Sequence, residues 1–135
     1  SDHYEAIRTA LLHDTTRGVA DHARAIAATA EELEARFIAE AAGVDPDRGD
    51  DCRGLVAHVA GAASRLAEAG NIEATRAAFG ELSRPLVRYR EMVPGERPMV
   101  VYCSMAEQAW LQPEGQVGNP YYGQSMARCG KVVSE

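Results

Sequence analysis

The sequence predicts a mainly α-helical single domain, an antiparallel four-helix bundle over residues 1–93 with a short irregular, partly β C-terminal tail over 94–135 packed on it. Three observations carry that expectation. Apolar residues recur three and four apart in four successive segments, the signature of one buried helix face. Turn-forming residues divide those segments by short connections, which force antiparallel neighbours. Near Pro94 the composition shifts from Ala-rich, studded with Arg and Glu, to rich in Gly, Pro, Tyr, Met and Cys. A chain of 135 residues, 46% of them apolar, has room for one modest core.

The first helix carries Tyr4, Ile7 and Leu11, with Ser1 or Asp2 as the side-chain acceptor at its start and an end near Asp14. Being short, it is placed to dock at one end. The second carries Val19, Ala23, Ile26, Ala30, Leu33 and Phe37 and stops by Gly43, before a Val44-Asp45-Pro46-Asp47 turn. The third begins after Asp50 and Asp51, shows Leu55, Val59, Ala62, Leu66 and Ala69, and ends at Gly70. Asn71 caps the fourth, whose face is Ile72, Phe79, Leu82, Leu86, Tyr89 and Val93, with Pro85 bending it near 81–85. Narrow stripes containing many alanines let such helices approach closely. In the tail, Met99-Val100-Val101-Tyr102 and Lys131-Val132-Val133 are β-prone, so a two-stranded ribbon is expected to tie its ends together. The Pro- and Gly-bearing stretch between them is too long for an idle connection.

Charge and composition exclude several classes of function. The formal charge of −6 argues against a phosphate backbone as main partner, so nucleic acid is not expected. No apolar run approaches the roughly 18 residues of a membrane span, and the charged N-terminal residues are unlike a secretory leader. Four aspartates in the 45–51 segment lack the alternating ligands and closing Glu of a calcium loop and read as turn chemistry. No phosphate loop or dinucleotide fingerprint is present, and no His lies near Cys103 or Cys129 in sequence, so an enzyme is not expected. A thiol redox enzyme ranks last of all, for want of a Cys-x-x-Cys pair.

The sulfur residues of the tail are the sharpest feature. Cys103-Ser104-Met105 follows the first β-prone run, and Met126-Ala127-Arg128-Cys129-Gly130 precedes the second, so pairing of the two runs brings both clusters to one end of the ribbon. Met126 and Cys129 share one face of a helical turn, and Cys103 and Met105 one face of an extended segment. Thiolate and thioether are soft donors, and this set matches Cu(I), or its congener Ag(I), better than Mg, Ca or Mn. Zinc comes second, because structural zinc sites use repeated Cys and His pairs. Trp110 is placed to cover a cuprous ion by cation–π attraction, and His22 and His58, flanking the stripes of the second and third helices, are candidate extra ligands. His3 and His13 lie near helix ends and read as solvated. Cys52, at a helix start among carboxylates, reads as an incidental or intermolecular thiol, the helix dipole lowering its pKa and the carboxylates opposing. Each methionine taken singly reads as a packing residue. A plain Cys103–Cys129 disulfide that clamps a non-metal interaction domain is the competing reading.

The tail also resembles a bacterial domain of unknown function found alone or fused to CusB-like periplasmic adaptor subunits of heavy-metal efflux systems. The resemblance rests on Val101-Tyr102-Cys103-Ser104-Met105, Trp110-Leu111-Gln112, Asn119-Pro120-Tyr121-Tyr122-Gly123 and Met126 through Gly130. In the fourth helix it extends to Ile72-Glu73-Ala74, Arg76, Phe79 and Leu82-Ser83. It implies a helical bundle with a Cys/Met-bearing C-terminal segment, acting outside the cytoplasm in copper or silver handling, with an efflux adaptor or cuproprotein as partner. Ser104 stands where the family usually has Pro, which loosens the turn between Cys103 and Met105. The Asn119–Gly123 run reads as structure: a turn braced by the Asn amide, with two aromatics packing the tail onto the helices.

Overall fold

The chain was analysed as a computed structural model that describes residues 2–37, 43, 45–95 and 97–134. The capping role expected of Ser1, residues 38–42 and Val44 of the expected turn fall outside the described residues, and the second helix ends at Ala35, before the expected stop by Gly43. Four α-helices precede a small antiparallel sheet: α1 Asp2–Leu12, α2 Val19–Ala35, α3 Gly49–Ala67, α4 Ile72–Met92, then β1 Met99–Cys103, β2 Gln108–Gln112 and β3 Lys131–Ser134. Single 3-10 turns lie at Pro46–Arg48 and Gly123–Met126. No described helix is long and apolar enough to cross a membrane.

The helical faces follow the apolar spacing, with instructive exceptions. In α1, Tyr4, Ile7 and Leu11 are buried as expected. Left-handed backbone at Asp14 and Gly18 turns the chain into α2. There Val19, Ala23, Ile26 and Ala30 are buried, but Leu33 is 38% exposed. Phe37 lies past the helix end and is buried in a separate small cluster with Cys52, beside Tyr89, Met92 and Val93. In α3 the most buried residues include Val56, Ala60 and Ala63 as well as Val59, Ala62 and Leu66, while Leu55 is only half-buried. This helix lies against both α2 and α4, and two neighbours need a wider apolar face than a single stripe.

The side chain of Asn71 caps α4 as its sequence suggests, accepting from the Ala74 amide at 2.8 Å. Pro85 sits inside that helix and has no amide hydrogen to offer the Glu81 carbonyl. Phe79 and Leu82 are fully buried, whereas Ile72, Leu86, Tyr89 and Val93 are half-buried. A second face of α4 receives the sheet through β2. At Gly80 the backbone comes so close to Gln108 that a Cβ would lie 2.9 Å from its side-chain amide. Tyr4 joins three elements. Its hydroxyl donates to Ser83 at 2.7 Å and accepts from the Leu111 amide at 3.1 Å, while its ring stacks on Phe79 at 4.7 Å. Burial drives this phenol far above its ordinary pKa, so it remains a neutral donor.

The sheet corrects the expected two-stranded ribbon. The two β-prone runs do pair, with Val101 opposite Val132 and Tyr102 opposite Lys131, but a third strand lies on the other side of β1. The order is β2-β1-β3, and Val101 is also paired with Trp110. The stretch 108–112 has no β-branched residue to announce a strand. A tight turn over 104–107, closed by Glu107 at φ 54°, folds it back as a hairpin. β1 is therefore central and largely buried, and β3 is an exposed edge.

Candidate metal centre

The register sets the site. Because Tyr102 faces Lys131, the next step along the ladder puts Cys103 level with Gly130, beside Cys129. Cys103 is fully buried and Cys129 half-buried, and neither is in a disulfide. Partial burial pushes the Cys129 thiol up from its ordinary pKa, and the neighbouring Cys103 sulfur adds to the rise. A cation or a covalent bond that joins the two sulfurs removes the opposition that Cys129 meets.

The two cysteines are held in different ways. The Cys103 sulfur accepts a hydrogen bond from the Ala106 amide at 3.3 Å, across the hairpin turn. Cys129 is fixed through its backbone. Its carbonyl accepts from the Asn119 side-chain amide at 2.7 Å, and its own amide donates to the Met126 carbonyl at 3.1 Å. Asn119 is fully buried, and its side-chain oxygen also accepts from the Tyr121 and Tyr122 amides at 2.8 and 3.1 Å. One amide side chain thus braces both ends of the loop that delivers Cys129, the structural role its sequence suggests.

Three further polar side chains anchor that loop, a role the sequence did not disclose. Gln112 accepts from the Trp110 indole and the Gly118 amide, at 2.9 and 3.0 Å. Arg8 of α1 donates to the Gly118 carbonyl at 2.9 Å. Arg76 of α4 donates to the carbonyls of Pro120 and Leu11 and to Asp14, at 3.0, 2.8 and 2.8 Å. The guanidinium holds the Asp14 carboxyl below its ordinary range. No periodicity marks such residues. Each acts on polar groups, mostly backbone, that only the folded chain brings near.

The remaining sequence candidates are dispersed. Trp110 is fully buried beneath the Cys129 turn, so close to Gly130 that a Cβ there would lie 2.7 Å from the indole. It packs edge-on against Tyr121 and serves as the floor of this turn. Met126 is half-buried at the end of its 3-10 turn, whereas Met105 is 61% exposed in the hairpin turn. His22 is hydrogen-bonded to His3 on α1, and His58 is exposed, lining a groove with Arg65, Glu81 and Arg84. Among the described residues no three His, Cys, Asp or Glu side chains gather as a ligand set. Cys52 is corrected. It is fully buried, so it is closed to a second chain, and burial raises rather than lowers its pKa. No protein-family model, curated protein or solved structure matches the chain.

Proposed function

We propose that the chain captures a soft monovalent ion, Cu(I) before Ag(I), through Cys103 and Cys129, for buffering or for transfer to a partner. The observation that carries this reading is the strand register that sets the two cysteines side by side. Their thiolates would neutralise the cation, and Met126 and Met105 would contribute thioether sulfur, the exposed Met105 being available to exchange with an incoming acceptor. Zinc fits less well, since no His, Asp or Glu joins the two cysteines among the described residues. The four helices, read as an antiparallel bundle, act as the rigid platform. The resemblance to domains fused to heavy-metal efflux adaptors supports an extracytoplasmic setting, with such an adaptor or a cuproprotein as acceptor.

Anaerobic Cu(I) titration against a competing chelator tests the reading. Cys103→Ser and Cys129→Ser should each lose tight binding, and Met105→Ala should weaken it less. Unchanged affinity in both cysteine variants rejects the site. The same adjacency favours one other reading, an oxidised Cys103–Cys129 clamp in an interaction domain. Mass spectrometry separates them: loss of two hydrogens with no copper uptake by the reduced chain selects the clamp.

A further inference from the structure

We propose that His3 and His22 form a second metal site, distinct from the sulfur residues, which takes a divalent late first-row ion of the Cu2+ or Ni2+ type. His3 lies in the first turn of α1 and His22 in the first turns of α2, two helices packed against each other. Their Nδ1 atoms are 2.9 Å apart, and the rings are tilted by 47° with centroids 5.1 Å apart. His3 is exposed and His22 half-buried, so the open side of the pair faces water.

At this separation one ring donates its Nδ1 hydrogen to the lone pair of the other. Moving that hydrogen to Nε2 of the same ring costs little, because the two neutral tautomers are close in energy, and it frees both Nδ1 lone pairs, which meet at one centre once each ring swings about 45° off the line joining the nitrogens. No proton need leave the protein. A swing that keeps the present separation also sets the geometry. With metal–nitrogen bonds of about 2.05 Å, nitrogens 2.9 Å apart subtend about 90° at the ion, whereas a tetrahedral centre needs them about 3.3 Å apart. A right angle is the cis arrangement of square-planar or octahedral ions, the preference of Cu2+ and Ni2+ rather than of zinc. Water completes the coordination sphere. The donors are imidazole nitrogen, so the site takes the harder divalent state and leaves a cuprous ion to the sulfurs.

The test is calorimetric titration of the full chain with Ni2+, which thiols do not reduce, followed by thermal unfolding with and without the metal. One equivalent should bind, and His3→Ala and His22→Ala should each weaken it by about tenfold or more, because the second nitrogen binds intramolecularly. His13→Ala, His58→Ala and the Cys103→Ser/Cys129→Ser pair should leave it unchanged. That last control separates this proposal from the fate of the sulfur site. Bound metal should raise the unfolding midpoint in the wild type and in neither histidine variant, since the ion staples α1 to α2. Retention of full affinity by His22→Ala, with loss only in His3→Ala, overturns the paired site in favour of a chelate between His3 and the backbone before it. Uptake independent of both histidines overturns it outright.

Discussion

The helices α2 and α3 pack together, and their buried residues are apolar, among them Ala23, Ile26, Ala27 and Ala30 on one and Val56, Val59, Ala60 and Ala63 on the other. Between the helices and the C-terminal segment they are of another kind. There, Arg8, Arg76 and Tyr4 reach from α1 and α4 to backbone groups of the tail, while Asn119 and Gln112 bind the tail to itself. The helices cohere through apolar area, which is non-directional and tolerant of sliding. The tail coheres through hydrogen bonds that are satisfied in one arrangement only, and leaving any of them unmade inside the protein is expensive. On the proposed reading, in which the tail holds two sulfurs at a fixed separation, it gains from the second kind of cohesion.

The largest effect expected from breaking this contrast is on the helical side. Leu66→Ala removes a side chain with 1% exposure from α3 and leaves a cavity between helices, at a cost of about 3 kcal/mol in unfolding free energy. Denaturant unfolding followed by circular dichroism should show that loss. The folded fraction should keep its Cu(I) affinity, because the sulfurs are positioned by the tail. A matching loss of Cu(I) affinity would mean that the helical core sets the site geometry directly.

Asn119→Ala strikes the other side. It leaves the Tyr121 and Tyr122 amides and the Cys129 carbonyl without their partner, a cost of about 2 kcal/mol for the tail at the least. Hydrogen exchange should accelerate at residues 119–130 more than in α2 and α3, and Cu(I) affinity should fall with both cysteines still present. Equal acceleration everywhere would show one cooperative unit and dissolve the contrast between the two regions.

The same contrast explains what the sequence disclosed. Tyr4, Ile7 and Leu11, or Val19, Ala23 and Ile26, repeat with the helical period, and a period survives translation into structure because each residue needs only the same face as the last. Leu33 and Leu55 fail to bury where the period alone would bury them, since burial depends on which neighbour arrives. In the tail, the convergence of Cys103 and Cys129 was legible because two β-prone runs bracket them. The strand 108–112 was not, for its residues are ordinary and its position is dictated by a four-residue turn and by Tyr4, over a hundred positions away. The Ala106 amide on the Cys103 sulfur and the His3 partner of His22 are invisible for the same reason: they are coincidences of three-dimensional position between residues with no local signal.

The smallest effect concerns the thiols. Burial and the Cys103 sulfur both raise the Cys129 pKa, burial being the larger cause, so at pH 8 this residue should alkylate more slowly than an unfolded cysteine. Cys103→Ser removes the second cause and should speed that reaction a few-fold without restoring the unfolded rate, as read by peptide mass spectrometry. Stability has a matching sign. Folding raises the pKa of both Cys52 and Cys129, so the folded chain holds these protons more tightly than the unfolded one. The contribution is level below the ordinary thiol range, about pH 8.5, and is lost as the pH climbs through and above it. Cys52 lies in the apolar cluster with Phe37 and should stay unreactive until the chain opens, whereas Cys129 should react in the folded state. Alkylation of Cys52 at the rate of Cys129 would show that the cluster under Tyr89 opens as readily as the tail, and that apolar packing there is no tighter than the hydrogen-bonded loop.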